Sequence, residues 1–297
     1  MRALGIQVDV IEIKGLPKLK HFEAISNVWE RMKSVDIIHA HYGYCGWVAR
    51  SQLNKPVVVS FMGNDLLGTP DAYGHIQPIS RIEVFFNLWL ARMVNAVIVK
   101  SVEMAKIIGP VKAHVLPNGV DMQTFYPIPR PQARALLEWS EDKLYISFPG
   151  NPAEPRKGFL FAKAAIHQAE EQMGKPLAVI PLLNIPPHQV PLYMSACDLM
   201  IMTSFIEGSP NVVKEAMACN LPIVSVPVGD TAELLKDVKG CVVSTRDVNR
   251  FAEDIVNLLK AKRSSNGREA LQHKGLDLES IARRLIKIYE SVLARGA

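Results

Sequence analysis

Along most of the chain, short apolar runs rich in β-branched residues alternate with longer stretches whose apolar positions recur every three or four residues. A run without polar alternation suits a strand covered on both faces, and the longer period suits an amphipathic helix. The pattern predicts strands at 8–13, 36–40, 56–61, 96–100 and 113–116, then a second series at 144–148, 177–182, 199–204, 223–228 and 241–244. Helices are predicted at 159–173, 251–262 and 281–293; the last carries Ile281, Leu285, Ile288 and Val292 on one face. Strand–helix alternation of this kind builds parallel sheets, so the expected class is α/β with two Rossmann-like βαβ domains.

Between the two series, Pro127, Pro129 and Pro131 remove backbone donors and discourage helix and strand alike. A linker is expected there, dividing the chain into 1–126, 127–280 and a final helix, 281–297, that returns to the first domain. The length of 297 residues allows two cores. With 48% hydrophobic and 21% charged residues, the chain reads as globular rather than disordered. Apolar stretches such as the one around Phe85 and Phe86 are interrupted by Asn87 and Arg92, short of the ~20 residues a spanning helix needs. Cys45, Cys197, Cys219 and Cys241 are scattered without metal-type spacing, and the start resembles no signal peptide, so a reducing cytoplasm is the simplest reading. The net charge of +5 is too mild to suggest nucleic acid. Lys14, Lys18, Lys20, Arg31 and Lys33 concentrate some of it near the start, either as a solvated surface or as a peripheral contact with anionic lipid at the inner face of a membrane.

The segment with most chemical content is Glu207-Gly208-Ser209-Pro210-Asn211-Val212-Val213-Lys214-Glu215, directly after the strand predicted at 199–204. Ser209 suits an N-cap and Pro210 a first helical position. Free amides of that first turn and of Gly208 would then face the carboxyl end of the strand, where a phosphate is stabilised by donors and dipole together. Glu207 can reach sugar hydroxyls lying on the turn. Glu215 lies among Val212, Val213, Ala216 and Met217, where an unpaired carboxylate is costly and a ribose diol would satisfy it. Two glutamates at this spacing equally describe helix-end and surface residues.

The surrounding stretch at 190–233, VPLYMSACDLMIMTSFIEGSPNVVKEAMACNLPIVSVPVGDTAE, closely resembles the donor-site region of the retaining GT-B glycosyltransferases of family four (group 1). DIIHAHYG at 36–43, VVVSFMGNDLLG at 57–68 and HVLPNGVDMQTF at 114–125 add to the resemblance, in the family's order. It implies that Glu215 holds the donor ribose and that Glu207 contacts the transferred hexose. Gly208, Ser209, Pro210, Asn211 and Val212 would line sugar and diphosphate. Lys157, in Arg156-Lys157-Gly158, matches the family's phosphate lysine, so Glu207 and Lys157 are the expected catalytic pair. Family members commonly have Gly-Arg where this chain has Gly150-Asn151; Arg156 would supply the charge that Asn151 lacks. A histidine frequent before the glycine at position 63 is replaced by Met62. Acceptor-side candidates are His41, Gly43, Asp65 and Asn118, while His39 beside them is either a packed residue or a contact.

The resemblance further implies transfer from a nucleoside diphosphate sugar, most commonly UDP-linked, to a glycan, lipid-linked or other hydroxyl acceptor, by front-face displacement without metal or other cofactor. Alternatives are a GT-B epimerase, a phosphorylase, or a relative that binds nucleotide without turnover. Residues 2–7 read as the tail of a helix and its spacer, which makes 8–13 the family's second strand and leaves the first domain short of its initial βα unit.

Overall fold

A computed structural model describes residues 1–14, 20–262 and 264–295. Contacts divide it into two compact units. One comprises Met1–Thr69, Ile76–Asn118 and the chain from Glu279 onward; the other comprises Pro70–His75 and Gly119–Leu278. The chain thus changes unit at 118/119, ahead of the prolines expected to mark the linker.

In the first unit, β1 (Ile38–His41), β2 (Val57–Ser60), β3 (Ala96–Val99) and β4 (Ala113–Val115) form a parallel sheet in sequence order. Ile38 lies opposite Val57, Val58 opposite Ala96 and Val97 opposite Ala113. β2 and β3 are buried along their whole length, which is what their unbroken β-branched runs require. In the second unit, β5 (Leu144–Phe148), β6 (Leu177–Pro181), β7 (Leu199–Met202), β8 (Ile223–Ser225) and β9 (Cys241–Val243) form a parallel sheet of order β6-β5-β7-β8-β9. Helices Phe159–Met173 and Val248–Ala261 pack together beside it.

The strand expected at 8–13 is not one: no residue of that segment pairs with a strand among the described residues. Its apolar positions are satisfied sideways. Ile11 and Ile13 pack on Ala24 and Val28 of helix Lys20–Arg31 and on Val48 of helix Gly43–Arg50. The carbonyl of Val8 accepts from Arg2 Nη2 at 3.0 Å, and Asp9 pairs with Arg31 at 2.9 Å. Of the basic residues near the start, Lys14 pairs with Glu12, while Lys18 and the side chain of Lys20 lie outside the described residues.

The final helix, Leu278–Leu293, buries Ile281, Ile288 and Val292 in the first unit. Its Tyr289 hydroxyl meets His39 Nδ1 of β1 at 2.5 Å. No helix among the described residues is long and apolar enough to cross a membrane.

Candidate functional site

The order β6-β5-β7 means that the chain leaves β5 to one side and returns to the other. In open parallel sheets such a reversal opens a crevice outside the carboxyl ends of the two strands concerned, the usual place for a ligand. The loops that follow β5 and β7 meet there. Lys157 Nζ donates to Glu207 Oε1 at 2.8 Å, and Arg156 Nη1 donates to the same oxygen at 3.1 Å. Arg156 also pairs with Glu154. The Lys157 and Glu207 side chains are 11% and 16% exposed, sheltered enough to strengthen the pair and open enough to meet a solute.

The backbone ties the two loops to each other. Phe205 N donates to Arg156 O at 2.9 Å, and Thr203 Oγ1 donates to Lys157 O at 2.9 Å. Gly158 holds φ +66°, and a Cβ there would stand 2.3 Å from the Thr203 carbonyl oxygen, so no larger residue keeps the loops this close. Arg246, unremarked in the sequence, donates to the carbonyls of Thr203 and Ser204 at 3.0 and 2.6 Å and lies over the Phe205 ring at 4.3 Å. Asn151 is exposed, and its Oδ1 accepts from Ala153 N at 2.9 Å. It shapes its own turn.

Beyond Glu207, the helix Asn211–Ala218 begins at Pro210, which replaces the expected cap at Ser209 and provides no capping side chain. The reason is tertiary. Ser209 Oγ donates to Asp230 Oδ2 at 2.6 Å and accepts from Lys214 Nζ at 3.0 Å, a buried relay that a local cap reading cannot see. Burial raises the Asp230 carboxyl to about 6 and lowers the Lys214 ammonium to about 8. Gly229 brings the Asp230 loop onto the turn, since a Cβ at 229 would fall 2.7 Å from Gly208 O. Gly208, Ser209 and Pro210 are buried, Asn211 is exposed, and Val212 and Glu215 are half-buried. Burial raises the Glu215 pKa, with Lys214 opposing the shift.

The acceptor-side candidates sit in the first unit. His41 is exposed at the end of β1 and stacks on His39 with ring centroids 4.4 Å apart. His39 is enclosed: Nε2 meets Ser60 Oγ at 2.8 Å, and burial, then His41 and Lys100, hold its pKa down at about 3. It is a neutral brace between β1, β2 and the last helix. Asp65 is fully buried and accepts from the amides of Met62, Gly63 and Gly43 at 2.9, 2.8 and 3.1 Å. Burial raises its pKa to about 6 despite those amides. A Cβ on Gly43 would fall 2.3 Å from Asn87 Oδ1, so the turn after β1 is closed against that side chain. Asn118 is half-buried beyond β4.

Comparison with known proteins decides the family. Residues 2–124 match the model of Glycosyltransferase Family 4, and residues 165–261 match that of Glycosyl transferases group 1. The chain belongs to glycosyltransferase family four. Among curated relatives of this family-four chain, the D-inositol 3-phosphate glycosyltransferase of Segniliparus rotundus is 27% identical over 305 residues, covering 88% of this chain and 67% of its own length. The Mycobacterium marinum enzyme of the same name is 26% identical over 281 residues, covering 80% and 59%. The chain therefore spans about three fifths to two thirds of these relatives. Among solved structures, sucrose-phosphate synthase from Thermosynechococcus elongatus superposes with a TM-score of 0.77 at 21% identity, covering 98% of this chain and 83% of that one. Anabaena HepE in complex with UDP and glucose gives 0.71 at 19% identity, covering 98% and 88%. The fold is GT-B.

Proposed function

We propose that the chain transfers a hexose from a UDP-linked sugar to a hydroxyl acceptor, glycan or lipid-linked, with retention at the anomeric carbon. The observation that carries this reading is the convergence of two cations, Lys157 and Arg156, on one oxygen of Glu207 at the reversal between β5 and β7. A diphosphate entering that crevice competes with Glu207 for Lys157, and the helix beginning at Asn211 adds its dipole. Glu215 offers a half-buried carboxylate to the ribose diol. Family membership and the UDP and glucose bound to HepE support the same donor class.

In this reading the acceptor oxygen bonds to the anomeric carbon on the face from which the diphosphate departs. The carbon–oxygen bond to the diphosphate breaks, and the acceptor proton passes to the leaving phosphate oxygen. Lys157 and Arg156 stabilise the charge that develops there, and Glu207, released from them, holds sugar hydroxyls in position. The free thiols of Cys45, Cys197, Cys219 and Cys241 suit a reducing compartment. Calorimetric titration with UDP, GDP and ADP, followed by product analysis with the corresponding glucose nucleotides, tests the proposal. UDP binding with transfer to a supplied hydroxyl acceptor is expected; binding of none of the three nucleotides would overturn it.

A further inference from the structure

On helix Pro78–Ala91, Ile79, Ile82, Phe85, Phe86 and Trp89 are 71%, 55%, 67%, 47% and 51% exposed. At ~100° per residue these five fall within an arc of about 120°, while Ser80, Asn87, Leu90 and Ala91 are buried on the other side. Scattered exposed apolar residues need no explanation, but a continuous stripe of this size marks a contact surface. Beside it runs helix Gly43–Arg50, whose Trp47 ring lies 5.6 Å from that of Trp89. A groove of about 470 Å³ separates the helices, lined by Tyr44, Trp47, Ile82, Phe86 and Trp89 among others.

The exposed charged residues of this helix, both basic, lie along one edge of the stripe. Arg81, on the helix, and Arg92, its C-cap, are both exposed and fall just beyond Phe85 on the same helical projection. Glu83, the helix's one acid, is half-buried and lines the same groove, with its Oε1 turned away from solvent. An aromatic and aliphatic stripe edged by arginines matches a surface that lies in the headgroup region of a bilayer, where rings enter the acyl boundary and guanidinium groups meet phosphates.

We propose that this face docks on a bilayer containing anionic phospholipid. The surface differs from the basic patch expected near the start, and the inference does not depend on the transferase reading.

Vesicle flotation tests it, using phosphatidylcholine vesicles with and without about 30% phosphatidylglycerol, an anionic fraction that sets up an attractive surface potential. The whole chain is expected to float with the anionic vesicles at low salt and to be released as salt rises. Phe85→Ser with Trp89→Ser should abolish flotation, and Arg81→Glu with Arg92→Glu should weaken it about tenfold or more, each arginine being worth ~1 kcal/mol near such a surface. Both pairs replace exposed side chains, so their urea midpoints should match the parent's. Three results would overturn the proposal: no flotation of the parent with anionic vesicles, flotation unchanged in both variants, or a dimer in light scattering that Phe85→Ser with Trp89→Ser dissolves.

Discussion

The two units treat carboxylates at their strand ends in opposite ways. In the first, Asp65 spends both oxygens on the protein's own amides and shows nothing to solvent. In the second, Glu207 is held by side-chain cations on an adjacent loop, and the half-buried Glu215 carboxylate faces the Lys214 charge and is tied to no backbone amide among the described residues. Sheet order accounts for part of the contrast: the first sheet runs monotonically, whereas the second reverses between β5 and β7. A carboxylate closed by backbone amides braces a turn; one balanced by side-chain cations can exchange them for a ligand.

The sharpest way to break this comparison is Lys157→Met. If the Lys157–Glu207 pair opens to a diphosphate, turnover should fall by ~10²–10³, equivalent to roughly 3–4 kcal/mol of lost charge stabilisation. Steady-state kinetics checks it, and a loss under tenfold would remove Lys157 from the chemistry. Next comes Asp65→Ala, which leaves buried amides without an acceptor and should cost about 3 kcal/mol of stability, read as the urea midpoint of the tryptophan fluorescence. A cost below ~1 kcal/mol would mean that Asp65 is not the brace. Glu215→Gln should weaken UDP about tenfold, or ~1.4 kcal/mol, because an amide oxygen accepts less strongly than a carboxylate; unchanged affinity in calorimetry would exclude the ribose contact.

The smallest effect concerns pH. The folded state holds His39 neutral down to about pH 3, whereas the unfolded chain protonates it near 6.5. Acidification through that window therefore favours unfolding. Relative to His39→Gln, the parent should lose ~1 kcal/mol between pH 7.5 and 5.5. Asp65 and Asp230 titrate in the opposite sense, with folded values raised to about 6, but both occur in both proteins and drop out of the difference. Parallel pH profiles would show that His39 is not enclosed as described.

What was legible in the sequence follows the same physics. β5 and the helix Phe159–Met173 begin and end where the pattern put them, because continuous burial leaves periodicity little choice. Residues 8–13 have the same apolar character without a ladder: the pattern records which side chains are covered, not which backbone groups are paired. The convergence of Lys157 and Glu207 follows from two loops read as neighbours of one sheet, and its ingredients were visible. The Ser209–Asp230–Lys214 relay was not, since Ser209 looks like a local cap until a partner 21 positions away claims its hydroxyl. Lys214, only 1% exposed within an apolar helix, was the one hint. Arg246 gave none, as its carbonyl partners lie more than 40 positions back.

The contact between His39 and Tyr289 spans 250 positions, and the whole second unit is encoded inside that interval. A ribosome adding ~5–20 residues per second needs roughly 10 to 50 s to cross it. Through most of that time β1 and β2 have been made, but the helix that closes over them has not. The first unit, begun before the second, is therefore finished after it, and the nascent chain carries that sheet without its closing helix while the second unit folds.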